Sequence, residues 1–332
     1  MAIKTTVVGS YPIPRWLYGD TSKGTLSDAI SVVLHTQEMA GIDVVADGEL
    51  NRFDPSHPET NGMIDYFVSR LSGVQTAYSI SDLDAFKADR GMGFRIAPAG
   101  VVDGEIGEGV LNLPADYEFV RGLTTKPLKF TCTGPHMLTK TLTDRHYGSY
   151  EKLCMAVADV LRKQLERIPA DIVQLDEANV TGHPEEAEWA AAAMNHVLDG
   201  IGSTRGVHLC FGNYGGQSIQ KGFWKNMLPF LNALHCDHFL LEFARRGYEE
   251  LAELKDMNPN IGLGLSVVDI KDNGVESADL IASRIENAVA VLGEERIHYI
   301  NPDCGFWMLS RSVADRKMQA LTAGRDLFYG RK

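Results

Sequence analysis

Four residues in this chain are suited to hold a soft metal ion: His208 and Cys210 in Val207-His208-Leu209-Cys210, Glu242 in Leu240-Leu241-Glu242-Phe243, and Cys304 in Asn301-Pro302-Asp303-Cys304-Gly305. Side chains alternate between the faces of a β-strand, so a strand over 206–210 turns His208 and Cys210 the same way at its end. One imidazole, two thiolates and one carboxylate form a ligand set that zinc accepts in tetrahedral geometry. Taken alone, a His-x-Cys pair is also what a buried core strand carries, because cysteine is among the most buried residue types. What the four share is placement. Each closes an apolar run where a loop begins, as in Phe211-Gly212-Asn213-Tyr214-Gly215-Gly216 after Cys210.

Such a site needs a scaffold, and the chain is long enough for a large one. Its 332 residues are 44% hydrophobic, enough for two ordinary domains or one large α/β barrel. A formal charge of -12 excludes a general binder of phosphate backbones and predicts no nucleic-acid partner. No run approaches the length of a membrane span, and Met1-Ala2-Ile3-Lys4-Thr5 leads into a strand-like run without a secretory core. Five scattered cysteines, Cys132, Cys154, Cys210, Cys236 and Cys304, have no disulfide framework spacing. A cytoplasmic protein with reduced thiols is expected.

Short β-rich runs alternate with longer amphipathic ones. Strands are expected to begin near Thr5, Asp43, Leu128, Asp171, Gly206, His238, Ile261 and Ile297. Helices are expected over 26–40, 62–71, 150–168, 184–198, 223–233, 248–257, 277–292 and 313–327. From about 78 to 117 the rhythm breaks into a polar helical piece and FRIAPAGVVDGEIG, which reads as a hairpin or excursion. Eight β-α units predict a single-domain (β/α)8 TIM barrel spanning 1–332.

A barrel places its chemistry at the C-terminal ends of the strands. There stand Gly9 and Ser10, Asp47 and Glu49, Asp176 and Glu177, His208 and Cys210, Glu242, Asp269 and Lys271, and Asp303 and Cys304. Each has a structural alternative: Asp47 as a turn cap, Asp176 or Glu177 as the partner of an arginine, Lys271 as a solvated charge. Their common rim is the argument for a site.

The motifs VVGSYP, DVVADGELNR, VQLDEANV, VHLCFGN, LLEFA, VVDIK and INPDCGF occur in this order. From Val7 to about Leu321 the chain resembles the C-terminal catalytic domain of cobalamin-independent methionine synthase and its short relatives, of the methionine synthase and uroporphyrinogen decarboxylase-like barrel type. The resemblance implies that His208, Cys210, Glu242 and Cys304 are zinc ligands. It implies that Gly9 and Ser10 belong to a loop holding the carboxylate of homocysteine, and that Glu49 and Asp176 hold its ammonium. Glu49, Asp176 and Lys271 are the candidate catalytic residues.

Two thiolates and a carboxylate over-neutralise zinc, which makes it a poor source of hydroxide and leaves a bound alkylthiolate nucleophilic. Lys271 stands where folate-using members carry a histidine thought to relay a proton, and the chain corresponds to their catalytic half alone. Both points favour methylcobalamin or a corrinoid protein as methyl donor over methyltetrahydrofolate. A zinc-dependent transferase acting on another thiol, such as coenzyme M with an epoxide, is the alternative. Arg15, Arg52, Arg245 or Arg246 could then serve its anion, whereas Glu49 and Asp176 would lack an ammonium partner. A non-catalytic thiol- or metal-binding protein is the third class.

Overall fold

The computed structural model describes residues 2–56, 62–88, 95–213 and 218–330. Its strands, in chain order, are β1 (Lys4–Thr5), β2 (Ser72–Gln75), β3 (Gly100–Gly107), β4 (Lys129–Thr133), β5 (Leu142–Asp144), β6 (Ile172–Glu177), β7 (Thr204–Leu209), β8 (His238–Leu241), β9 (Gly262–Val268) and β10 (Ile297–Pro302). Seven form one sheet in the order β1-β10-β9-β8-β7-β6-β4, with every pairing parallel. Parallel bridges from Thr6 to Val44 and from Val45 to Leu128 place residues 44–45 between β1 and β4. The ring is thereby closed as a (β/α)8 barrel.

The second of the eight positions is thinner than the strand expected to begin near Asp43. Gln37, from the preceding helix, explains this: its amide donates to Ala46 O at 2.7 Å and accepts from Ala46 N at 3.0 Å. A side chain has taken the backbone bonds that a strand neighbour would otherwise use. Beyond it, Glu49 has φ of 60°, the left-handed region, which ends any extended run.

Barrel strands β4, β6, β8 and β9 are buried along their whole lengths, as expected of parallel strands covered on both faces. The helix Tyr150–Leu165 buries Leu153, Val157, Leu161 and Leu165, a spacing that keeps one face apolar. Ser277 caps Ala278–Leu292 by accepting Leu280 N at 3.1 Å. The helix expected over 62–71 is a single turn, Asp65–Val68, because the chain becomes extended at Ser72. The stretch expected over 248–257 is a 3-10 helix, Glu249–Asp256.

Outside the barrel sheet, β3 pairs antiparallel with β2 and parallel with β5, forming a separate three-stranded sheet. The 78–117 stretch contributes the helix Ile80–Ala88, β3 and most of the helix Leu113–Arg121. Phe94 of the FRIAPAGVVDGEIG motif, like Tyr214, Gly215 and Gly216 of the loop after Cys210, lies outside the described residues.

Candidate metal centre and thiol pocket

Two barrel strands, β7 and β10, bring the soft donors together. His208 is the fifth residue of β7, Cys210 follows that strand directly, and Cys304 follows β10. One nitrogen of His208 and the sulfurs of Cys210 and Cys304 all lie within 4.8 Å of one another. His208 Nδ1 faces Leu240 O at 3.1 Å, so it carries the ring proton and donates to that carbonyl. The buried Nε2 is left with no hydrogen-bond partner. A lone pair without a partner, beside two thiols, is the arrangement a thiophilic divalent ion satisfies, so the donors fit zinc.

The thiols are electrostatically unlike. A hydrogen bond with Cys210 and the nearby His208 and Lys271 hold Cys304 well below the ordinary thiol range. That same bond, with burial, pushes Cys210 well up. A divalent ion bound there would favour the deprotonated form of both thiols.

Glu242, the residue after β8, has its carboxylate fully engaged. Oε1 accepts Lys271 Nζ at 2.8 Å and Oε2 accepts Phe211 N at 2.9 Å. Burial opposes the charge on Lys271, but Glu242 and Cys210 outweigh it and its pKa is raised. Lys271 is therefore an ammonium ion, and the solvated alternative does not hold: its side chain is 1% exposed.

Beside the donors opens a cavity of about 450 Å3 whose wall includes Ser10, Glu49, His208, Cys210 and Cys304, with Ile13, Tyr18, Phe53, Met63 and Trp307 as apolar contributors. Gly9, Asp176, Glu242 and Lys271 are not among its lining residues. Glu49 is the one non-glycine residue with positive φ among those described. A strained backbone there is held by its surroundings: Oε1 accepts Thr131 Oγ1 at 2.7 Å and faces Arg52 Nη1 at 3.4 Å. A Cβ on Gly9 would lie 2.2 Å from Glu49 Oε1, so only glycine lets this carboxylate pass. A Cβ on Gly305 would likewise lie 1.9 Å from Ser10 Oγ, which ties the loop after β1 to the loop carrying Cys304.

Asp176, the penultimate residue of β6, lies directly across from His208 in register. Gln174 Nε2 donates to its Oδ1 at 2.6 Å. Burial, and next the charge of Glu49, push its carboxyl up to about 7. A cationic group placed between Glu49 and Asp176 would relieve both effects.

The other rim acids are structural. Asp47 accepts Glu49 N at 2.8 Å, Glu177 accepts Asn179 N at 2.7 Å, and Asp269 accepts Lys271 N at 2.8 Å. Asp303 holds the backbone after Glu242, accepting Phe243 N, Ala244 N and Arg245 N at 2.8 to 3.0 Å. Of the rim arginines, Arg52 is committed to Thr131 O and Glu49, and Arg246 to Gly222 O and Glu250. Arg245 pairs with Asp269, and Arg15 is exposed. Sequence reasoning missed Thr131 and Gln174. Gln174 lies two residues before Asp176, so strand alternation was the signal available for it.

Residues 3–324 match the family model described as cobalamin-independent synthase, catalytic domain. The methionine synthase of Pyrococcus furiosus is 31% identical over 95% of this chain and 90% of its own length. That of Sulfurisphaera tokodaii is 28% identical over 98% of this chain and 92% of its own. A B12-independent methionine synthase from Shewanella sp. W3-18-1, solved with selenomethionine, superposes with a TM-score of 0.83 at 23% identity, over 99% of this chain and 98% of that one. No helix among the described residues is long and apolar enough to cross a membrane.

Proposed function

The chain belongs to the cobalamin-independent synthase family through its catalytic domain, and from that premise we propose that this enzyme methylates the thiol of homocysteine, giving methionine, at a zinc ion held by His208, Cys210, Cys304 and Glu242. The observation that carries this reading is the convergence of the unpartnered His208 Nε2 on two thiols beside a cavity walled by Glu49. Zinc, when bound, supplies a Lewis acid that keeps a thiol deprotonated and nucleophilic near neutral pH.

The chain's own groups orient the amino acid. Glu49 and Asp176 take the ammonium, and the Gly9-Ser10 loop takes the carboxylate. Gln174 and Thr131 fix the two acids through hydrogen bonds at 2.6 and 2.7 Å, so less freedom is lost when substrate arrives. The apolar wall of Ile13, Phe53, Met63 and Trp307 keeps water from the sulfur.

A methyl-corrinoid, as free methylcobalamin or on a carrier protein, is the donor in this reading. Lys271 occupies the place of the histidine that folate-using members carry, and its proton is committed to Glu242. A departing folate nitrogen would need a proton that this lysine does not offer, whereas a departing cobalt needs none. The family's description as cobalamin-independent weighs against a corrinoid, and methyltetrahydrofolate is the competing donor.

A methyl-transfer assay on zinc-loaded protein tests both parts, offering homocysteine or coenzyme M against methylcobalamin or methyltetrahydrofolate, with Cys304→Ser as control. Methionine formed from methylcobalamin and lost in the variant is expected. Turnover with methyltetrahydrofolate alone would replace the donor, and turnover with coenzyme M alone would replace the acceptor.

A further inference from the structure

Lys271, just beyond β9, reaches Glu242, which follows the neighbouring β8, with side chains 1% and 0% exposed. Either charge alone would be strongly disfavoured in the barrel, so each depends on the other. Glu242 nevertheless stands beside the soft donors, since its Oε2 accepts from the amide of Phe211, the residue directly after Cys210. The carboxylate thus lies between an ammonium on one side and the soft donors on the other.

Resting on the zinc site proposed above, we infer that Lys271 is a positioning residue for Glu242, giving this carboxylate a second stable seat off the metal and so freeing a coordination position for the substrate sulfur. One bond is exchanged for another. With zinc bound, Glu242 would yield its place on the ion and rest on the Lys271 ammonium, the substrate sulfur would take that place, and the thiol proton would go to water. Charge favours the arrangement, since two thiolates and a carboxylate exceed what zinc balances and Lys271 supplies the missing positive charge. Phe211 N, already on Oε2 at 2.9 Å, holds the carboxylate through the exchange.

X-ray absorption at the zinc edge, with and without homocysteine, tests this alongside calorimetric homocysteine affinity. Wild-type protein is expected to pass from two sulfur ligands to three. Lys271→Met keeps its zinc but acquires the third sulfur only at homocysteine concentrations higher by on the order of 10- to 100-fold, the range for losing a hydrogen bond to a charged group. Lys271→Arg restores it. If Lys271→Met fails to fold, Glu242→Gln/Lys271→Met, with no unpaired buried charge, is compared with Glu242→Gln alone. Equal affinity supports the inference, and a further loss overturns it. Lys271→Met binding homocysteine as wild type does would overturn the inference and leave the zinc site standing. A wild-type protein that never gains a third sulfur would overturn the zinc-thiol reading, and the inference with it.

Discussion

His208 and His238 stand on neighbouring strands, are 2% and 1% exposed, and each has an Nε2 without a hydrogen-bond partner. Only His208 faces sulfur. His238 begins β8, at the opposite end of the barrel from Glu242, with its ring 4.7 Å from that of Tyr299. A Cβ on Gly206 would lie 2.8 Å from its Nε2, so backbone packs against the nitrogen. The cysteines divide in the same way. Burial, the largest cause, and nearby carboxylates push Cys132 up to about 12 and also raise Cys154 and Cys236, as in inert core thiols, whereas Cys210 and Cys304 move in opposite directions through the hydrogen bond they share. An unsatisfied imidazole marks a candidate metal site where other donors converge on it, and elsewhere it is core packing.

Exchanging the two histidines' fates is the sharpest way to break this contrast. His208→Gln is expected to weaken zinc binding by more than the roughly 10- to 100-fold that loss of a supporting partner costs, while His238→Gln leaves it unchanged. Competition with a chelator reads both. Equal losses would dissolve the distinction.

Acid should then single out His238. Burial first, and then the positive charges of Lys129 and His298, push its pKa down to about 3 from 6.5. Between those values the unfolded chain takes up a proton that the buried ring refuses, so stability is full above pH 6.5 and falls as pH falls. From pH 6.5 to 5 this group alone should cost about 2 kcal/mol, which urea unfolding of the wild type would show and His238→Gln would not.

Smaller changes probe the substrate side. Gly9→Ala puts a methyl group into Glu49 Oε1 and is expected to raise the homocysteine KM by about tenfold with zinc retained. Thr131→Val removes one hydrogen bond from Glu49 and should raise the same KM by about fivefold. A loss of zinc in either variant would mean that the two halves of the site are not separable.

The barrel was legible because its strands are continuous apolar runs, each with its polar residue at the end. The second strand was overestimated because Asp43-Val44-Val45-Ala46 has the right residues, and nothing local reveals that Gln37 takes the hydrogen bonds of Ala46. The soft donors His208, Cys210 and Cys304 were legible for a similar reason, since strand alternation and strand ends fix where side chains point. Thr131 was not, because its role depends on which strand lies alongside; Gln174 was missed although strand alternation puts it on the same face as Asp176. Lys271 was legible as a rim charge but not as the partner of Glu242, since the pairing depends on how the neighbouring strands are placed.

The most direct test of the metal centre is the near-ultraviolet spectrum of the protein loaded with cobalt(II) in place of zinc. A thiolate-to-metal charge-transfer band is predicted, about halved in Cys304→Ser, where one of the two coordinating thiolates is lost, and unchanged in Cys236→Ser. No such band, or a band indifferent to Cys304→Ser, would contradict the assignment of His208, Cys210 and Cys304 as the metal-holding groups.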